Sequence, residues 1–270
     1  MSPLTSYLRR NATLLVTLFA LLLVLLPFLF WYSTWFGRRL SDEQIEAYLH
    51  DASRPRRAQH ALVQIGERLS RGDESVRRWY PRVMALASSP VPELRQTAAW
   101  IMGQDPRYEG FRKTLAGMLG DASPMVRRNA ALALAAFRDP AGRRELKEML
   151  RASVLYAPEA GRVRYRLKPG NYVNPGTLVA RVNDREVRAE LPGEVQRLLR
   201  PEGSLVRRGE ALMEVSPDEQ HVWEALRALY LVGTSEDSED VSRYARGAPG
   251  MGEKIRQQAQ LTLARIARGP

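Results

Sequence analysis

Leu119-Gly-Asp-Ala-Ser-Pro-Met-Val-Arg-Arg-Asn-Ala-Ala-Leu-Ala-Leu134 carries the pattern on which the rest of the chain can be aligned. Val126, Ala130 and Leu134 stand one before, three after and seven after Arg127, which places all three on one face of an α-helix. Pro124 precedes them, at a helix start where a missing backbone donor costs nothing. The arrangement recurs as Leu94, Arg95, Ala98 and Met102, with Pro92 ahead, and as Ile255, Arg256, Ala259 and Leu263, with Pro249 ahead. Each copy predicts one core-facing helix.

Further helical segments lie before these copies, at residues 74–87, 108–119 and 239–246. A degenerate copy over residues 56–69 would turn Ala61 and Ile65 inward, and Ser41 with Gln44 is spaced as a capping box for a short helix ahead of it. A helix pair of this length cannot bury its face alone, so the pairs are expected to stack as an α-solenoid. The stretch from Leu119 resembles a HEAT repeat of the short bacterial, phycobilisome-lyase-like kind, and the resemblance covers residues 40–151 and 218–268. It implies a polar ladder between repeats, built from an Asp and an Arg six apart. Asp121 and Arg127 would carry it, with Arg95 and Arg256 in the equivalent places, although Ser89 and Gly250 stand where the acid belongs. It also implies protein partners bound on the solenoid surface. A lyase activity suggested by the family's name finds no acid–base or nucleophile constellation here.

Between Val154 and Val215 the texture changes to short β-rich segments punctuated by Gly and Pro. Gly161 and Val163 repeat 32 residues later as Gly193 and Val195; Gly170, Val173, Gly176, Val179 and Val182 repeat 33 residues later as Gly203, Val206, Gly209, Leu212 and Val215. Two such halves predict a small closed sandwich. They resemble the barrel-sandwich hybrid of biotinyl and lipoyl carrier domains and of membrane-fusion or adaptor proteins. Carriers place an acceptor Lys on the hairpin joining the halves, whereas residues 182–187 read Val-Asn-Asp-Arg-Glu-Val and the segment's one Lys is Lys168. The resemblance therefore implies a non-acylated module with no cofactor. Its first and last strands should lie close together, so it could sit in a loop between helical pairs while residues 218–268 stack back on the first block.

Residues 11–36 hold no charge, and 14–30 are almost continuously apolar, enough for a transmembrane helix. Trp31, Tyr32, Trp35 and Phe36 suit an interfacial belt, and no small-x-small cleavage site follows. Arg9 and Arg10 at one end balance Arg38 and Arg39 at the other, leaving the side of the membrane undecided by charge; the adaptor resemblance favours an extracytoplasmic body on a bacterial inner membrane. The expected fold class is thus multi-domain: a tail (1–10), a transmembrane helix (11–36), HEAT-like repeats (37–153), a biotinyl/lipoyl-like β domain (154–216) and HEAT-like C-terminal helices (217–270).

The formal charge is +11, and all but four of the 41 basic residues are Arg. Arg54, Arg56 and Arg57, and Arg77, Arg78 and Arg82, form two clusters that could contact lipid headgroups or a partner; tethering to a membrane disfavours nucleic acid. The chain has no Cys and three dispersed His, which leaves no metal-ligand spacing, no thiol nucleophile and no triad. Glu236, Asp237, Glu239 and Asp240 lack the calcium-loop Gly and terminal Glu and read as acids at a helix start. Asp184 and Glu186, among Arg181, Arg185 and Arg188, read as a surface ion network. The expectation is a non-enzymatic membrane scaffold or adaptor with no small-molecule substrate; the alternative is a tethered anion-binding protein using the basic clusters.

Overall fold

The computed structural model describes residues 3–34, 39–51 and 53–269, which fall into two units, Met1–Gln64 and Ile65–Pro270. The first holds α1 (Pro3–Thr34), α2 (Asp42–His50) and the start of α3 (Pro55–Ser70). α1 is one helix through Pro27, and its side chains described at 12, 14 and 16–29 are all exposed. Among the described residues no helix is long and apolar enough to cross a membrane. The expected belt residues Trp31, Tyr32, Trp35 and Phe36, and Arg9, Arg10 and Arg38, lie outside the described side chains. α2 starts on a reciprocal capping box: Gln44 N–H donates to Ser41 Oγ at 3.3 Å and Ser41 N–H to Gln44 Oε1 at 3.1 Å. Ile45 and Leu49 of α2 and Ala58, Ala61 and Leu62 of α3 are buried, and Gln64 Oε1 accepts the Leu40 N–H at 2.9 Å.

In the second unit a 3₁₀ turn (Glu74–Trp79) leads into α4 (Tyr80–Ala85), followed by α5 (Pro92–Met102), α6 (Glu109–Met118), α7 (Pro124–Ala136) and α8 (Arg143–Glu148). After the β segment come α9 (Glu219–Val232), α10 (Ser238–Ala245) and α11 (Glu253–Ala267). Pro92 and Pro124 occupy the first turns of α5 and α7. Pro249 stands four residues ahead of α11, because Gly250 at φ 76° turns the chain before the helix begins. The helices pair as α4–α5, α6–α7, α8–α9 and α10–α11, and the second members stack in the sequence α5, α7, α9, α11. One core joins Ala131, Leu146 and Leu150, from before the β segment, to Val222, Leu226, Tyr244 and Ile255 after it. The helices α9–α11 therefore complete the same stack. The β segment leaves from within the third pair, between α8 and α9, rather than between pairs.

Its strands are β1 (Ser153–Tyr156), β2 (Gly161–Tyr165), β3 (Tyr172–Val173), β4 (Leu178–Val182), β5 (Arg185–Arg188), β6 (Gly193–Leu198), β7 (Leu205–Val206) and β8 (Ala211–Val215). They form two antiparallel sheets, β1-β8-β6-β3 and β5-β4-β2-β7. Renaming β1–β4 as β5–β8, and the reverse, turns one strand order into the other, so the sequence duplication is a pseudo-two-fold in space. The repeat mates Val163 and Val195, Val173 and Val206, Val179 and Leu212, and Val182 and Val215 all lie in a single core. The repeated turn glycines Gly170, Gly176, Gly203 and Gly209 all take φ between 74° and 89°, which a Cβ would resist. Ser153 pairs with Val215 in register, so the chain leaves and rejoins the helices at neighbouring points.

Candidate protein-binding groove and its polar frame

Arg residues frame the stack. Arg95 on α5 grips Asp121, ahead of α7, through Nε at 2.6 Å and Nη2 at 2.8 Å, and donates Nη1 to Ser89 O at 2.8 Å. One guanidinium thus bridges two repeats with all its edges used. Arg127 on α7 donates to Asp121 O at 2.8 Å and to Glu145 on α8 at 3.1 Å. Arg143 on α8 binds Asp237 through Nε at 3.0 Å, and Thr234 N–H caps the same carboxylate at 2.8 Å. Asp237 is fully buried, so within the acidic run it acts as the acceptor at a repeat boundary as well as a helix-start acid. Arg256 sits outside this series and pairs with Glu253 of its own helix at 2.8 Å. No spacing in the sequence joins Glu145 and Asp237 to their arginines, which lie 18 and 94 residues away. Arg95 holds the Asp121 carboxyl below the usual carboxylate range.

With these arginines holding one side of the helix row, a groove of about 790 Å3 runs along α5, α7, α9 and α11. Trp100, Asn129, Leu132, Arg227, Tyr230 and Leu261 line it. Trp100 is 43% exposed, Tyr230 42% and Leu261 58%. Large apolar side chains on a rigid helical row, with carboxamide and charged neighbours, suit contact with another protein chain.

The β module is tied to the same frame. Tyr172 on β3 donates its hydroxyl to Asp218 Oδ2 at 2.7 Å, and Asp218 caps α9 by accepting the His221 N–H at 3.1 Å. His221 Nδ1 lies 3.1 Å from Arg128 Nη1 on α7. A guanidinium only donates, so Nδ1 accepts and the proton of the neutral ring is on Nε2. Burial, then the Arg128 charge, pushes the His221 pKa below its ordinary value.

The six arginines of the basic clusters are all exposed, and the two clusters fall in different units. Arg54 Nε is 3.8 Å from Asp51, and Arg57 stacks 5.2 Å over Tyr48, while Arg56 is an exposed residue of α3. Arg77 lies 3.4 Å from Glu74 and 3.8 Å from the buried Asp105; Arg78 stacks 4.4 Å over Trp79; Arg82 is exposed on α4. Several are thus engaged inside the protein. Among the described residues no group of His, Asp and Glu could hold a metal ion. Arg181 and Arg188 both pair with Glu186, and Arg185 with Glu159.

Residues 80–157, from the start of α4 to just past β1, match the family of HEAT repeats. No curated protein matches the chain.

Proposed function

We propose that the protein is a membrane-anchored, non-enzymatic scaffold or adaptor subunit that binds protein partners along the α5–α7–α9–α11 groove. HEAT repeats generally mediate protein–protein interaction, and the carrying observation is the exposure of Trp100, Tyr230 and Leu261 in one groove. The membrane reading is supported by α1. Its described apolar side chains are exposed on every side, and a helix apolar all round needs cover from lipid or protein. The adaptor resemblance would put the body on the extracytoplasmic side of a bacterial inner membrane.

The β module is read as a second docking surface of lipoyl-like type that carries no acyl arm. Supporting this, Val182 pairs with Arg185, leaving Asn183 and Asp184 as a two-residue turn with no Lys. Asn183 closes that turn by accepting the Arg162 N–H at 3.1 Å and donating to Glu159 at 3.1 Å.

The test is affinity purification of the tagged full chain from mild-detergent membranes, beside a Trp100→Ala/Leu261→Glu double variant. Both positions are exposed, so the variant should fold. Defined membrane proteins that survive a high-salt wash with the wild type and vanish with the variant are expected. Equal recovery would remove the groove from the function. Release of the wild type by alkaline carbonate would separately remove the membrane anchor, and resistance to protease in spheroplasts would place the body in the cytoplasm.

A further inference from the structure

A second cavity, of about 450 Å3, lies where α7 and α8 meet the β module. Residues 152–156 line it without a gap, and so do 187–191. Consecutive residues line a cavity when a strand presents its edge rather than a face. β1 and β5 are indeed the outermost strands of their sheets and are mates under the pseudo-two-fold. The cavity is therefore lined on one side by the edge strand β1 and on the other by the end of β5 and the residues that follow it.

Arg127 and Arg128 stand at its helical side. Arg128 is only 4% exposed, and its Nε has no hydrogen-bond acceptor. Its Nη1 is engaged by His221, and the one carboxylate within ion-pair range among the described residues is Glu145, 3.9 Å from Nε. The other oxygen of Glu145 already accepts from Arg127 Nε at 3.1 Å. Arg127 and Arg128 thus share the Glu145 carboxylate; Glu148 and Glu190 also line the cavity, beside Arg151 and Arg188, so four arginines face three carboxylates there. A buried cation with an unmet donor is costly, and burial lowers the Arg128 pKa to about 10. Asp218, the next acid along the network, is committed to Tyr172 and to the start of α9.

We propose that this cavity is a receptor for a carboxylate, either of a small free acid or of the end of an extended peptide, held by Arg128. A carboxylate offers the planar pair of acceptors that a guanidinium fork matches, and it supplies the counter-charge that Glu145 divides between two arginines.

The test uses the full chain in detergent with ¹⁵N-arginine, following the Arg128 Nε–H resonance. That resonance is assigned by its loss in Arg128→Lys or, should that variant not fold, by its proximity to the His221 ring. Sodium acetate and N-acetyl-trialanine should both shift it, while N-acetyl-trialanine amide and sodium chloride at equal ionic strength should not. A response to the peptide acid at a tenth or less of the acetate concentration would assign the site to peptide ends; equal responses would assign it to small acids. In Glu145→Gln the competing carboxylate is gone, and affinity should rise about tenfold. No response to either acid, an equal response to the amide or chloride, a response to sodium phosphate alone, or unchanged affinity in Glu145→Gln would each overturn the proposal.

Discussion

Arg95 commits its whole guanidinium to one repeat boundary, and its partner Asp121 is equally confined; their side chains are 14% and 11% exposed. Removing either end leaves the other charge largely buried without its bidentate partner. Arg95→Met and Asp121→Asn should each cost about 3 kcal/mol in urea unfolding, and the double variant clearly less than the sum. Additive losses would mean that the pair is not coupled. His221 gives the other residue-scale expectation. The groups facing it are Arg128, Asp218 and Glu224, and its folded pKa lies below the ordinary 6.5. Between that folded value and 6.5 the unfolded chain holds more protons, so stability should fall as the pH drops through this window, with a slope approaching about 1.4 kcal/mol per unit. The carboxylates with lowered pKa values lose their contribution only below 3.8 to 4.5, so a loss that sets in just below pH 6.5 belongs to His221. His221→Gln should flatten that loss, as pH-dependent thermal unfolding would show. Their fixed spacing of six residues across the start of α7 makes Asp121 and Arg127 visible in the sequence. Nothing local marked Arg128, whose neighbours come from α8 and α9.

At the scale of elements, the β module shows how far periodicity reaches. Its glycines recur because the halves reuse the same turns, and that recurrence needs no tertiary knowledge to detect. Gly193 has a different cause. A Cβ there would meet Ser216 O at 1.9 Å, where the strand leaving for α9 passes. Gly193→Ala should therefore destabilise the module by about 3 kcal/mol or more, whereas Gly117→Ala, on α6 with open space around it, should be neutral or stabilise by up to about 1 kcal/mol. Matched denaturant melts decide between these, and a harmless Gly193→Ala would mean that β6 and the exit strand can separate. The helix the pattern misses is α9. Aligning Ala225 with Ala98, Ala130 and Ala259 puts His221 where Leu94, Val126 and Ile255 stand, and Val222 where the Arg stands. Both departures belong to the junction: His221 meets Arg128, and Val222 is buried in the shared core. A repeat that must also anchor an insertion loses the signature by which repeats are found.

Across the whole second unit, the helices before and after the β segment share one hydrophobic core although more than 60 residues of sheet intervene. That is possible because Ser153 and Val215 are register partners, which brings the two ends of the insertion to about 5 Å at Cα. The loop that joins α8 to α9 need span no more than this gap, so the module adds sheet without lengthening the path between the helices. Linkage of this kind makes stability separable. Replacing residues 153–215 by a short Gly-Ser linker should leave the helical circular dichroism of α4–α11 and a single cooperative melt in place, at a lower midpoint because the Tyr172–Asp218 bond is lost. A chain that no longer melts cooperatively would show instead that the module organises the third pair. The outcome bears on function as well. A solenoid that survives excision while keeping its membrane partners places recognition in the helical groove, and one that survives but releases them places it on the module that the third repeat carries.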